Sequence, residues 1–136
     1  MASVIERAVR ILTRLGGVVF TAGPQDIRVP APDATGFDVS LHVAGPSRFL
    51  VRYNGWFQTF DRAEDAYDCF EYGLSDSCRL RVTYRGDGQV AWRIEKREYG
   101  LWAPGREVKK RLVAFWRPTR VAHLQNRAFT SGAGMP

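Results

Sequence analysis

Asn54-Gly55 stands between two runs rich in large apolar residues, Arg48-Phe49-Leu50-Val51-Arg52-Tyr53 and Trp56-Phe57-Gln58-Thr59-Phe60. A two-residue connection of this composition closes a β-hairpin through a type I′ turn, which takes positive φ at both central positions and so favours Asn followed by Gly. Two-residue closure fixes the register, pairing Tyr53 with Trp56, Val51 with Gln58 and Phe49 with Phe60. Cross-strand partners share a face of the pleat, so five large apolar side chains stack on one side and make it the core side.

The flanking segments extend that hairpin into a larger architecture. Phe37, Val39, Leu41 and Val43 alternate with Asp38, Ser40 and His42, the period of a half-buried strand. After the hairpin, Asp61 precedes Glu64 in a capping-box-like pair that opens a helix over 61–74. Ala63, Ala66, Tyr67, Phe70 and Leu74 recur on it at helical spacing, with Glu64, Asp65, Asp68 and Glu71 facing outward. Leu80, Val82 and Tyr84 then alternate with Arg79, Arg81, Thr83 and Arg85, and Val90, Trp92 and Ile94 alternate with Ala91, Arg93 and Glu95. A three-residue turn at Gly86-Asp87-Gly88 would pair Tyr84 with Val90, Val82 with Trp92 and Leu80 with Ile94. A third pair is expected from 107–116 and 119–126, parted at Arg117-Pro118.

At the N-terminus Ser3 and Glu6 form a capping box, and Val4, Ile5, Ala8, Val9, Ile11, Leu12 and Leu15 fall on one half of a helix with Arg7, Arg10 and Arg14 opposite. Gly16-Gly17 ends it. Lacking a continuous apolar stretch with a small-residue cleavage site, this segment reads as a core-covering helix rather than a secretory signal. The expected fold is α+β: a mainly antiparallel sheet built from hairpins and covered by two helices, one domain over 1–127 with a flexible C-terminal tail over 128–136.

A chain of 136 residues, 45% hydrophobic and 25% charged, can bury one core without disulfide or metal staples. No apolar run reaches a membrane-spanning length. Cys69 and Cys78, nine residues apart, lack zinc-ligand spacing and read as buried reduced thiols of a cytoplasmic protein.

Charge is distributed unevenly. The first 78 residues carry seven basic and ten acidic side chains, the remaining 58 carry thirteen and four. If Leu80, Val82, Tyr84, Val90, Trp92 and Ile94 point inward, Arg79, Arg81, Arg85 and Arg93 share the opposite face with Glu95, and Arg81 lies directly across from Arg93. Like charges so placed cost stability unless an anion or a carboxylate lies over them. Lys109, Lys110 and Arg111 add three cations on the next strand. Phosphate is the partner that rewards such a surface, because guanidinium forks bind it bidentately. Tyr99, Trp102 and Trp116 lie among these cations and suit stacking on unpaired bases if exposed, core packing if not.

Enzymatic constellations are missing from the pattern. His42 and His123 are far apart on expected strands and read as structural. Gly73-Leu74-Ser75-Asp76-Ser77 has Ser77 where a nucleophile elbow needs glycine, and it follows a helix instead of a strand. Asp87 with Glu107-Val108-Lys109 has the residue types of a magnesium-dependent nuclease, but a whole strand separates the acid from the E-x-K. The sequence therefore reads as a binding module with no catalytic residues, no cofactor and no metal. Two partners suit the basic face, Arg79, Arg81, Arg85, Arg93, Lys109, Lys110 and Arg111: nucleic acid, or an acidic protein surface, including the acidic helix of a second copy in a homo-oligomer. A small-ligand pocket near His42 or Gln58 is a third reading.

Overall fold

The structure, a computed structural model, describes residues 3–110 and 118–128. Among these residues it is an α+β fold with two antiparallel sheets and two helices. The first helix, α1 (Val4–Leu15), is capped as its sequence dictates: the Ser3 hydroxyl accepts from the Glu6 amide at 3.1 Å, and Gly16 ends the helix at φ 73°. Ile5, Ala8 and Leu12 are its buried stripe. Strands β1 (Thr21–Ala22), β2 (Asp26–Val29), β3 (Val39–Gly45), β4 (Arg48–Tyr53) and β5 (Trp56–Phe60) form a five-stranded meander in chain order.

The Asn54-Gly55 hairpin has the expected register, with Tyr53 opposite Trp56, Val51 opposite Gln58 and Phe49 opposite Phe60. Its turn differs in one respect. Asn54 takes positive φ (52°) and Gly55 does not. Gly55 is required for space instead, since a Cβ there would fall inside the Trp92 indole. Tyr53 and Trp56 are fully buried and stacked, ring centroids 4.6 Å apart.

Helix α2 (Ala63–Leu74) crosses the buried face of this sheet. The expected Asp61 capping box does not form: the N-cap is Arg62, whose side chain makes no capping hydrogen bond. Starting one residue later removes Asp61 from the only position whose side chain reaches the N2 and N3 amides. Ala66, Tyr67, Phe70, Gly73 and Leu74 are buried, while Glu64, Asp65 and Asp68 face solvent. Arg7, expected on the wet side of α1, bridges to this helix, meeting Glu64 at 2.7 Å and lying 4.1 Å over the Tyr67 ring.

The second sheet has the order β8-β7-β6-β9 from β6 (Cys78–Arg85), β7 (Gly88–Glu98), β8 (Leu101–Lys109) and β9 (Thr119–Leu124). Val82 faces Trp92 and Leu80 faces Ile94 as expected, but Tyr84 pairs with Gln89, not Val90. The turn is Gly86-Asp87 alone, and the spare residue, Val90, is absorbed as a bulge in β7. The expected third hairpin is also replaced. β7 continues to Glu98 and turns at Tyr99-Gly100, which places β8 beside β7, whereas β9 joins the free edge of β6. The two strands expected to pair thus occupy opposite edges; residues 111–116 of the expected strand lie outside the described residues. Ala128, expected to open the tail, donates its amide to the Leu74 carbonyl at 3.0 Å.

The core lies between these layers. Leu80, Val82, Trp92 and Ile94 turn inward to join Phe37, Val51, Tyr53, Trp56, Phe70 and Leu74. Asn126, only 3% exposed, ties the layers by accepting from the Phe37 amide and donating to the Phe37 and Gly73 carbonyls. No helix among the described residues is long and apolar enough to cross a membrane.

Candidate nucleic-acid interface

With one face of the second sheet committed to the core, strand alternation sends the intervening residues to the other side. Across the four strands, one row of register partners reads His123, Arg81, Arg93, Glu107, and the next reads Arg79, Glu95, Pro104. One more step along, Arg97 stands opposite Trp102. Arg79, Arg81 and Arg93 are therefore brought together, and His123, read from sequence as a structural residue, stands beside them.

Glu95 organises this surface. Its side chain is 5% exposed, and Oε1 accepts from Arg79 through Nε at 2.8 Å and Nη2 at 2.6 Å, while Oε2 accepts from Arg93 at 2.7 Å. Burial alone would raise its pKa, but the hydrogen bonds from Arg93 and Arg79 prevail and hold the carboxyl below its ordinary value. His123 Nε2 lies 3.7 Å from the same carboxylate. Burial lowers the His123 pKa, the neighbouring Arg79, Arg81 and Arg93 lower it further, and Glu95 opposes them, leaving it below the ordinary histidine value.

Glu95 is taken up by Arg79 and Arg93, and Glu107, the other carboxylate on this face, pairs with Lys109. Arg81, half-buried between Arg93 and His123, has no acidic partner among the described residues. Arg93 Nε is buried and donates to no acceptor among them. A buried donor without an acceptor costs on the order of 1–3 kcal/mol. The acidic side chains of α2 do not supply one within the chain, because α2 meets β6 from the core side.

The other candidates divide. Lys109 shares the arginine side, opposite Ala91, and pairs loosely with Glu107 at 3.5 Å. Lys110 points to the other side, its ammonium 5.7 Å from the Trp92 ring. Arg85 ends β6 opposite Gly88 and Thr119. Arg111 lies outside the described residues, as does Trp116. Sequence reasoning missed Arg97, His123 and the burial of Glu95. The signal for Arg97 was present, since it continues the Arg93 and Glu95 alternation; the burial of Glu95 has no such signal, and His123 needed the non-local pairing of β9 with β6.

Among the described residues no three His, Cys, Asp or Glu side chains gather as metal ligands would. Burial pushes the Cys69 thiol up to about 11 and raises Cys78 further, the opposite of an activated nucleophile. His42 is exposed on the open face of the five-stranded sheet. Gln58 lines a cleft of about 530 Å³ whose floor is Tyr53 and Trp56, with Cys69, Tyr72 and Lys96 on its walls. Comparison of the chain with family models, curated proteins and solved structures finds no match.

Proposed function

We propose that the outer face of the second sheet binds nucleic acid through its phosphates. The observation that carries this reading is Arg81, a guanidinium with no carboxylate partner among the described residues, held between Arg93 and His123. Phosphate accepts the forked donors that Arg81 presents, and it relieves the repulsion between cations facing each other across the ladder. Lys109 and Arg97 extend the positive surface along and across the strands. Phosphate contacts carry no sequence information, so affinity is expected to be nearly independent of sequence and to fall steeply with salt.

The test is fluorescence anisotropy with labelled DNA and RNA oligonucleotides at low and near-physiological salt. Arg81→Ala combined with Arg93→Ala should weaken binding to every sequence about equally. Unchanged affinity in that variant, or binding indifferent to salt, contradicts the reading.

The second reading is self-assembly. Asp65 and Asp68 on α2 are exposed, and α2 and the arginine face look in different directions, so the helix of one copy can meet the sheet of another. Sedimentation separates the two: a charge-held assembly dissociates as salt rises, while a phosphate-binding monomer keeps the same mass throughout.

A further inference from the structure

The hairpin that joins β7 to β8 carries a residue its fold does not call for. Tyr99 and Gly100 form the two-residue turn, with φ of 51° and 78°. Positive φ at both positions is the type I′ pattern, for which Asn, Asp or Gly is the low-energy choice. A bulky L-residue there costs roughly 1–2 kcal/mol in backbone strain. The Tyr99 ring gains no burial in return, since it is fully exposed, and neighbouring Leu101 is 73% exposed. Three residues on, Trp102 lies half-buried with the Arg79 guanidinium 4.5 Å and the Arg97 guanidinium 5.0 Å from its ring centroid. These contacts join the aromatic margin to the Arg79–Glu95–Arg93 cluster.

Arg93 and Arg97 on β7 thus lead to one fully exposed ring, Tyr99, at the hairpin tip, with half-buried Trp102 on the adjoining β8. From Arg93 past Arg97 to Tyr99 is six residues, about 20 Å at the rise of an extended chain. A duplex offers phosphates to such a track but keeps its bases stacked on one another. An unpaired strand offers both, and base-on-aromatic stacking is tolerant of sequence because every base has a π face.

Resting on the phosphate-binding reading above, we infer that this surface selects single-stranded nucleic acid, with phosphates on the Arg81–Arg93 cluster and an unpaired base stacked on Tyr99 at the hairpin tip beside Trp102. Tyr99 then contributes strand-form selectivity, and the arginines contribute affinity common to both forms.

The experiment compares a labelled 12-nucleotide single strand with its duplex, by anisotropy at two salt concentrations, for the wild type, Tyr99→Asn and the Arg81→Ala/Arg93→Ala pair. Asn suits the turn better than Tyr, so Tyr99→Asn should melt no lower than the wild type, which excludes misfolding as a cause. The expected result is a tighter wild-type complex with the single strand. Tyr99→Asn should lose about tenfold on the single strand and nothing on the duplex, with its salt slope unchanged, and the arginine pair should lose affinity for both. Equal wild-type affinity for the two forms, or a Tyr99→Asn variant that binds the single strand as tightly as the wild type, overturns the strand-form inference and leaves phosphate binding standing. A wild type that binds neither form overturns both.

Discussion

Replacing Glu95 by Gln should lower stability and raise nucleic-acid affinity together. The substitution keeps the side chain's size and one carbonyl acceptor but removes the charge that Arg79 and Arg93 share. Breaking a fully buried ion pair from one side costs on the order of 3–5 kcal/mol. Here the two guanidiniums are 24% and 27% exposed and can rehydrate, so the loss is discounted to about 2–3 kcal/mol. At this chain length each kcal/mol moves Tm by about 3–5 °C, which gives a fall of roughly 10 °C. The pH dependence follows from the direction of the pKa. Because the folded-state pKa of Glu95 is lowered, its contribution is fully present above the ordinary carboxyl value of about 4.3 and disappears as pH falls through the lowered one. Melting curves of wild type and variant should therefore be well separated at pH 7 and converge at strongly acid pH. Added oligonucleotide should raise the variant's Tm more than the wild type's, since phosphate replaces the missing carboxylate. A Tm within 2 °C of wild type at pH 7, or a gap equally wide in acid, would refute the assignment of Glu95 as the charge that holds this face together.

Three further outcomes are expected. Gly55→Ala should destabilise by about 3 kcal/mol or more in chemical denaturation, because its Cβ would collide with the buried Trp92 ring and neither the tight turn nor the indole has room to yield; a loss under 1 kcal/mol contradicts that packing. Asn126→Ala should cost about 3 kcal/mol by orphaning the Phe37 amide and carbonyl and the Gly73 carbonyl, and hydrogen exchange at the Phe37 amide should accelerate more than at β3 amides. With its pKa lowered, His123 is neutral at pH 7, so oligonucleotide affinity should rise several-fold between pH 7.5 and 5.5 as bound phosphate favours its protonation. His123→Gln should lose that rise, and an unaltered pH profile in the variant counts against placing His123 in the interface.

Local chemistry made some of this legible in the sequence and left the rest out of reach. The β4–β5 register followed from two turn residues, and the inward side of β6 and β7 from simple alternation, so the juxtaposition of Arg81 with Arg93 was visible in the sequence. The β7 bulge was not, because Gly86-Asp87-Gly88 accommodates a two- or a three-residue turn and only packing chooses between them. β8 was disguised by Pro104 and Gly105, which suppress the strand pattern yet are tolerated in an edge strand. The pairing of β9 with β6 joins residues about forty positions apart, a distance over which periodicity carries no information. For the same reason His123 was read as isolated. Glu95 alternates as a solvent-facing residue does, and its burial arises from two long arginine side chains folding over it.

The most direct test of the central claim is the salt dependence of oligonucleotide affinity, measured by anisotropy for the wild type and for Arg81→Ala/Arg93→Ala on one labelled single strand. Contacts from about three cations predict a slope of log affinity against log salt near −2, reduced by roughly 1.4 units in the double variant. A flat wild-type slope, or identical slopes for the two proteins, would contradict a phosphate-binding role for this face.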